Sequence, residues 1–402
     1  MSLLAPFENR IGPRMLFGAG VLADVGRRVS ELGLERVLIV SDPGVTASGH
    51  VERLRENLEQ AGVSCRIFAE SRENPTSRDV ELCREAAESE PPGESIQGFV
   101  ALGGGSSIDT ARAANLLVTN GGRIKDYKGY GNATRALLPL IAIPTTAGTG
   151  SEMQSYALIA DPKTHDKMAC GDPRAMAELA VLDPELTLTL PPAVTATSGL
   201  DALVHAVETA VTTRRNLLSG MYSFEAFRLI EKHFGKVLEN GEDIEARGAM
   251  QLGAAFAGLA IESSMLGAAH ACANPLTAQF GIAHGKAVAM MLPRVLRFNA
   301  EDPVASSIYR DLATRAELVE PKAATPKAVA RLAMRIEELI EKAGLPRTLA
   351  ELDVTEDAID ALATAACEQW TGQFNPRPVD VHAFKTLYHA AITGDDKGLK
   401  AG

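Results

Sequence analysis

The sequence predicts an α/β N-terminal domain built on a parallel sheet, followed by an all-α C-terminal domain. Three observations carry this. Short apolar runs alternate with helical segments through the first 190 residues. From Pro191-Pro192 onward the pattern is almost wholly helical, with apolar residues three and four apart. The length, 402 residues, exceeds what one hydrophobic core usually serves. The division is therefore placed at 1–190 and 191–402.

The strands follow in order. Arg36 to Ser41 (RVLIVS) is a β-branched run ending at Asp42-Pro43-Gly44. Val63 to Ala69 follows the helix-like VERLRENLEQAG. Gly98 to Leu102 runs into glycines, Pro139 to Ile143 into Pro144-Thr145-Thr146, and Leu179 to Leu182 into Asp183-Pro184. Apolar strands separated by helices indicate a parallel sheet covered on both faces. Beyond Pro192, segments such as VTATSGLDALVHAVETAV and KAVARLAMRIEELIEKAG read as helices.

Composition bounds the function. A net charge of −11 argues against a nucleic-acid partner, which asks for a basic face. Apolar runs fall short of the roughly 20 residues of a membrane span. MSLLAPFENRIGPR lacks a basic region leading into a long apolar stretch, so the expectation is a cytoplasmic protein without a membrane partner. The five cysteines contain no CxxC pair and are expected to be reduced and mostly buried.

Two loops suit a phosphorylated ligand. Gly103-Gly104-Gly105-Ser106 lies between a strand and a helix start, where glycine allows close backbone approach and the helix N-terminus favours an anion. Ser106 or Ser107 is the expected N-cap. The spacing is not GxGxxG, and such a turn also occurs without a ligand. The second loop, Pro144 to Glu152, is rich in hydroxyls that can reach phosphate or ribose oxygens; it also reads as a plain connection. Asp42, ending the first strand, either accepts from ribose hydroxyls or serves as a turn aspartate.

A metal set is visible in the second half. Asp201 and His205 are spaced i, i+4, which puts both on one helix face. His270 and His284 lie in similar small, apolar contexts. One buried histidine is usually a core residue; three with an aspartate point to a site. Oxygen and nitrogen donors without thiolate suit ferrous iron, zinc or manganese. His50 and His165 read as loop residues, and His233, His382 and His389 as helix-surface or packing residues.

The ordered motifs VSDPGV, GGGSSIDTAR, PTTAGTGSE, DPELTLTLPP, GLDALVHAVE, GAAHACANPL, AHGKAVAMMLP and NPRPVDVHAFKTLY span essentially the whole chain. Together they resemble the iron-containing (group III) alcohol dehydrogenase family. The resemblance implies a Rossmann-like dinucleotide-binding domain and an all-helical metal- and substrate-binding domain, the fold shared with dehydroquinate synthases. It implies Asp201, His205, His270 and His284 as metal ligands, with iron favoured. It implies a pyrophosphate loop at Gly103, Gly104, Gly105 and Ser106 with Asp109 beside it. Thr145, Thr146, Thr149, Lys167, Thr187 and Leu188 match cofactor-lining positions, and Asp42 matches the carboxylate of NAD preference over NADP. The implied chemistry is reversible hydride transfer between a nicotinamide and a small alcohol or carbonyl compound, by a homo-oligomer, with a dimer expected. Ala268, Ala271, Ala273 and Gly258 are expected to leave room for substrate.

Two positions depart from the family pattern. Asn274 stands where a second histidine often follows the third ligand, and asparagine cannot titrate. Arg112 replaces a commoner lysine, a change expected to be minor. Three rivals share the fold: a glycerol-dehydrogenase-like enzyme, a dehydroquinate synthase-like lyase, and a non-catalytic nucleotide-binding protein. Net NADH formation separates the dehydrogenases from the other two.

Overall fold

The computed structural model describes residues 7, 12–89, 94–162 and 167–399. His165 lies outside the described residues. The chain divides into two compact units between Leu190 and Pro191.

Among the described residues the first unit has nine strands: β1 (Arg14–Phe17), β2 (Arg36–Val40), β3 (Ser64–Phe68), β4 (Gly98–Gly103), β5 (Gly129–Tyr130), β6 (Leu140–Pro144), β7 (Tyr156–Ala160), β8 (Lys167–Gly171) and β9 (Leu179–Leu182). Its helices are α1 (Val25–Glu31), α2 (Pro43–Ala47), α3 (His50–Gln60), α4 (Ser77–Glu88) and α5 (Gly105–Asn120). Six strands form a parallel sheet in the order β1-β9-β6-β4-β2-β3. The period-2 alternation of β2 sorts its side chains. Val37 and Ile39 join one core with Val100, Leu102 and Ile143; Leu38 and Val40 join the opposite core with Phe99, Ala101 and Ile108. Both faces are buried, as an apolar parallel sheet requires.

The chain leaves β4 in the direction opposite to β2 and β3, so the sheet reverses its order between β2 and β4. In open α/β sheets, ligands bind beyond the carboxyl ends of the strands at such a reversal. Asp42 and the glycine turn lie there.

The expected sheet is not the whole of this unit. β1 adds an edge strand, and β5, β8 and β7 form a separate three-stranded sheet whose β7–β8 pairing is antiparallel. Its strands are short and only partly apolar, so their run length does not announce them.

The second unit carries α6 (Pro192–Val211), α7 (Leu217–Glu239), α8 (Ile244–Ser264), α9 (Ala268–Phe280), α10 (His284–Asn299), α11 (Pro303–Arg315), α12 (Thr325–Lys342), α13 (Ile359–Cys367) and α14 (Val381–Thr393). Pro192 opens α6 at a position where its missing N–H is harmless. From Gly199 to Val211 every residue of α6 is buried, so this helix forms the unit's axis. Two glycines let its neighbours close on it. A Cβ at Gly199 would meet the Phe234 ring at 2.4 Å, and one at Gly285 would meet the Thr197 carbonyl oxygen at 2.2 Å. The second contact draws the first turn of α10 against α6.

Among the described residues no single helix is long and apolar enough to cross a membrane. All five cysteines are free; Cys83, Cys170 and Cys272 are buried, Cys65 is half-buried and Cys367 is exposed.

Candidate active site

Asp201 and His205 face one side of α6, separated by one helical turn. His270 lies in the first turn of α9, which follows a sharp reversal through Met265 in a left-handed conformation. His284 is the first residue of α10. These elements converge on one atom. Asp201 Oδ1 stands 3.4 Å from His205 Nε2, 3.7 Å from His270 Nε2 and 3.9 Å from His284 Nε2. Donors bound at about 2.1 Å to one tetrahedral ion stand about 3.4 Å apart, so these separations match a cation site within a few tenths of an ångström. The ligand atoms of Asp201, His270 and His284 all lie within 4.8 Å of one another. His205 adjoins this triad through Asp201, with its ring stacked on His270 at 4.9 Å between centroids.

The electrostatics favour a cation. Asp201 Oδ1 and His270 Nε2 are buried without a hydrogen-bond partner. Two such atoms 3.7 Å apart would be left unsatisfied without an ion or solvent between them. Burial would raise the Asp201 carboxyl, but the His205, His270 and His284 imidazoles outweigh it and hold the group well below the usual carboxylate range. Burial likewise opposes charge on His270; the carboxylates of Glu208 and Asp201 overcome it and raise the imidazole to about 9. Glu208, one turn beyond His205 on α6, meets His270 Nδ1 at 2.6 Å. No motif in the sequence marks Glu208 as functional, although it lies seven positions after Asp201, at helical spacing on the same face.

In the first unit the glycine turn and the hydroxyl loop come together. Thr145 N donates to the Gly103 carbonyl at 3.0 Å. A Cβ at Gly104 would lie 3.4 Å from Thr146 Cγ2, and one at Gly105 would lie 2.6 Å from Thr149 Oγ1. No side chain larger than glycine fits at Gly105 without displacing the loop. The helix cap is Gly104, not Ser106 or Ser107, because α5 begins at Gly105 and both serines fall in its first turn. Ser107 instead donates to Asp42 Oδ2 at 3.3 Å. Asp42 Oδ1 caps α2, accepting from Gly44 N and Val45 N at 2.9 and 3.0 Å. Its turn role and its place beside the glycine turn thus coexist. Thr145 Oγ1 is buried without a hydrogen-bond partner, an orphaned donor and acceptor of the kind a ligand oxygen satisfies.

Other expected residues fall elsewhere. Asp109 is turned inward. Its carboxylate accepts from Ser151 Oγ at 2.5 Å, Arg112 Nη1 at 3.2 Å and Leu158 N at 3.0 Å, so it braces the loop and does not face a ligand. Arg112, expected to be a minor change, is fully buried. It donates to Ala175 O, Asp109, Ser151 Oγ, Tyr156 O and Ser151 O. A lysine has too few donors to make these five bonds. Lys167 opens β8 opposite Ala160 and contributes positive charge near Asp109. The Thr187 hydroxyl is spent on the Pro184 carbonyl within its own turn, while Leu188 is exposed. Next to them, Thr189 Oγ1 meets His50 Nε2 at 2.9 Å. His50 is therefore a buried residue at the start of α3, not a loop residue. Asn274 lies one turn after His270, and its Nδ2 donates to Gln369 Oε1 at 2.9 Å. Ala268, Ala271, Ala273 and Gly258 are buried in the helix packing, where their small size serves close approach of helices.

The comparisons agree with this geometry. Residues 12–184 match the family described as iron-containing alcohol dehydrogenase, and residues 195–392 match the C-terminal region of the Fe-containing alcohol dehydrogenase family. The chain is 34% identical over 377 residues to alcohol dehydrogenase 4 of Schizosaccharomyces pombe, covering 94% of this chain and 87% of that one. It is 33% identical over 384 residues to the NAD-dependent methanol dehydrogenase of Bacillus methanolicus, covering 95% and 99%. A solved 1,3-propanediol oxidoreductase superposes with a TM-score of 0.91 at 28% identity, covering 96% of this chain and all of that one. Family membership implies a divalent metal and a nicotinamide cofactor. With its donors gathered on Asp201, its glycine turn at the sheet reversal and both halves matched, the chain belongs to the iron-containing alcohol dehydrogenase family and is a metal-dependent oxidoreductase acting on CH–OH groups.

Proposed function

We propose that Asp201, His205, His270 and His284 hold ferrous iron, and that the enzyme uses NAD to interconvert a small alcohol and its aldehyde or ketone. The observation that carries the metal reading is the approach of three imidazole Nε2 atoms to within 3.9 Å of one buried, unpartnered carboxylate oxygen. One carboxylate and three imidazoles suit iron and also accept zinc or manganese. When bound, the metal supplies Lewis-acid polarisation of the substrate oxygen, and the nicotinamide supplies or accepts hydride.

The chain's own residues do the rest. Gly103, Gly104, Gly105 and Ser106 clear the backbone for a pyrophosphate at the N-terminus of α5. Thr145, Thr146 and Thr149 offer hydroxyls beside it. Asp42 supports the preference for NAD, since a carboxylate at the end of β2 accepts from a ribose hydroxyl and repels a 2′-phosphate; the relative from Bacillus methanolicus is NAD-dependent by name. Asn274, tied to Gln369, positions neutral hydrogen-bonding groups near His270 and relays no proton of its own.

The test is anaerobic reconstitution with iron, zinc or manganese, followed by aldehyde and ketone panels with NADH and NADPH. Highest turnover with iron and NADH is expected. His270→Ala and His284→Ala should lose both bound metal and turnover. Full activity in either variant removes the metal assignment.

A further inference from the structure

We propose that Glu208 is a positioning residue that fixes the tautomer and ring plane of His270, with Asn375 holding the helix start from the other side. The proposal rests on the metal reading above and deepens it. Glu208 is buried to 3% exposure, and both its oxygens are committed. Oε2 lies 2.6 Å from His270 Nδ1, and Oε1 accepts from Ala269 N at 2.6 Å. A carboxylate this deep is unfavourable unless a donor or positive charge faces it. Once a cation displaces the proton on Nε2, Nδ1 keeps its own and donates it to Glu208, which leaves the Nε2 lone pair for the cation. That lone pair faces Asp201 Oδ1, where a cation would sit.

Three independent features support this geometry. Glu208, His205 and Asp201 share one face of α6, so a single rigid helix sets the spacing between two ligands and the carboxylate that orients a third. Gly267 leaves room for the approach: a Cβ there would stand 3.1 Å from Glu208 Oε1 and 3.0 Å from Asn375 Oδ1, close enough that one of them would have to give way. Asn375 completes the clamp. Its Oδ1 accepts from Ala268 N at 3.2 Å and from Asn299 Nδ2 at 3.0 Å. Asn299 is the last residue of α10, the helix whose first residue is His284. Glu208 and Asn375 thus satisfy neighbouring N–H groups at the start of α9, which lack intrahelical partners, and tie that start to the two helices bearing the other ligands.

A residue that only capped α9 would alter stability and leave the metal's surroundings unchanged. The experiment therefore reads the metal, not turnover. The full chain is stripped with a chelator and titrated with Co(II), following d–d absorption and affinity, for wild type, Glu208→Gln, Glu208→Asp and His270→Ala. Glutamine keeps the shape but can donate to Nδ1, which would move the imidazole proton to Nε2, towards the cation. Glu208→Gln is expected to weaken Co(II) binding about 10- to 100-fold and shift the absorption. Unchanged affinity and spectrum would overturn the proposal. Should Glu208→Gln fail to fold, Glu208→Asp decides: affinity reduced tenfold or more supports the role, and wild-type affinity overturns it. If His270→Ala loses Co(II) while the Glu208 variants keep it, only the Glu208 role falls. If His270→Ala binds Co(II) as wild type does, the metal reading falls and takes this proposal with it.

Discussion

Two buried carboxyls are pushed in opposite directions by their surroundings. Asp201 is surrounded by imidazoles, and their positive charge outweighs its burial. Glu152 sits at 3% exposure in the hydroxyl loop, where burial raises it to about 7 and the attraction of Arg112 only partly offsets that. The sign for stability follows from the proton count. Between its ordinary value of 4.5 and about 7, Glu152 binds more protons in the folded state than in the unfolded one. Its contribution therefore falls as pH rises through that window. Glu152→Gln should be close to neutral at pH 5 and stabilising by on the order of 2 kcal/mol at pH 8. Paired thermal melts of the cofactor-free proteins at the two pH values check it; a difference independent of pH would show that the carboxyl is not the cause. At this scale the sequence was informative about identity and poor about engagement. Asp109 and Arg112 follow the glycine turn within the first turns of α5. Their partners Ser151, Leu158 and Ala175 lie 39 to 63 positions away, beyond the reach of any local pattern.

Elements place the candidate ligands by close approach. The i, i+4 pair on α6 needs only a helix, and the spacing made that face legible. His284 needs more: the first turn of α10 must come against the second turn of α6. Gly285 makes this contact, because the Thr197 carbonyl occupies the space a Cβ would fill, 2.2 Å away. The obstacle is backbone, which cannot swing aside as a side chain can. Gly285→Ala should therefore push the two helices apart, lowering stability by about 1–3 kcal/mol and weakening metal binding with it. Thermal melting with and without Co(II) measures both. An alanine variant with wild-type stability and an unaltered metal increment would show that α10 does not need this approach. α9 shows a different adjustment. Pro275 lies inside it and has no N–H to give. Separately, the buried Tyr388 hydroxyl of α14 donates to the Cys272 carbonyl at 2.7 Å and braces α9 from outside.

For the molecule as a whole, metal uptake links protonation and stability. In the metal-free protein Glu208 and Asp201 keep the His270 imidazole charged up to about pH 9. A cation can use Nε2 only when that nitrogen carries no proton, so binding displaces one. Below pH 9, apparent metal affinity should fall with decreasing pH, by up to about tenfold per pH unit while one proton is released. Co(II) titrations at pH 7, 8 and 9.5 read the slope directly, and a flat profile would mean that His270 is already neutral in the metal-free protein. The same binding should raise stability by about 2.7 kcal/mol when free metal exceeds its dissociation constant a hundredfold.

The sequence alone determined five of the six strands of the main sheet to within a residue or two, the helical character beyond Pro191, the glycine turn and the four candidate ligands. These depend on period, run length and short spacing, which are properties of a segment read by itself. Tertiary structure decided the three-stranded sheet, whose strands are too short and mixed to declare themselves. It turned Asp109 inward and made Arg112 a buried tie between distant segments. It also placed Glu208 behind His270, 62 positions away. In each of these cases the partner is set by which elements pack together, and a pattern along the chain holds no information on that.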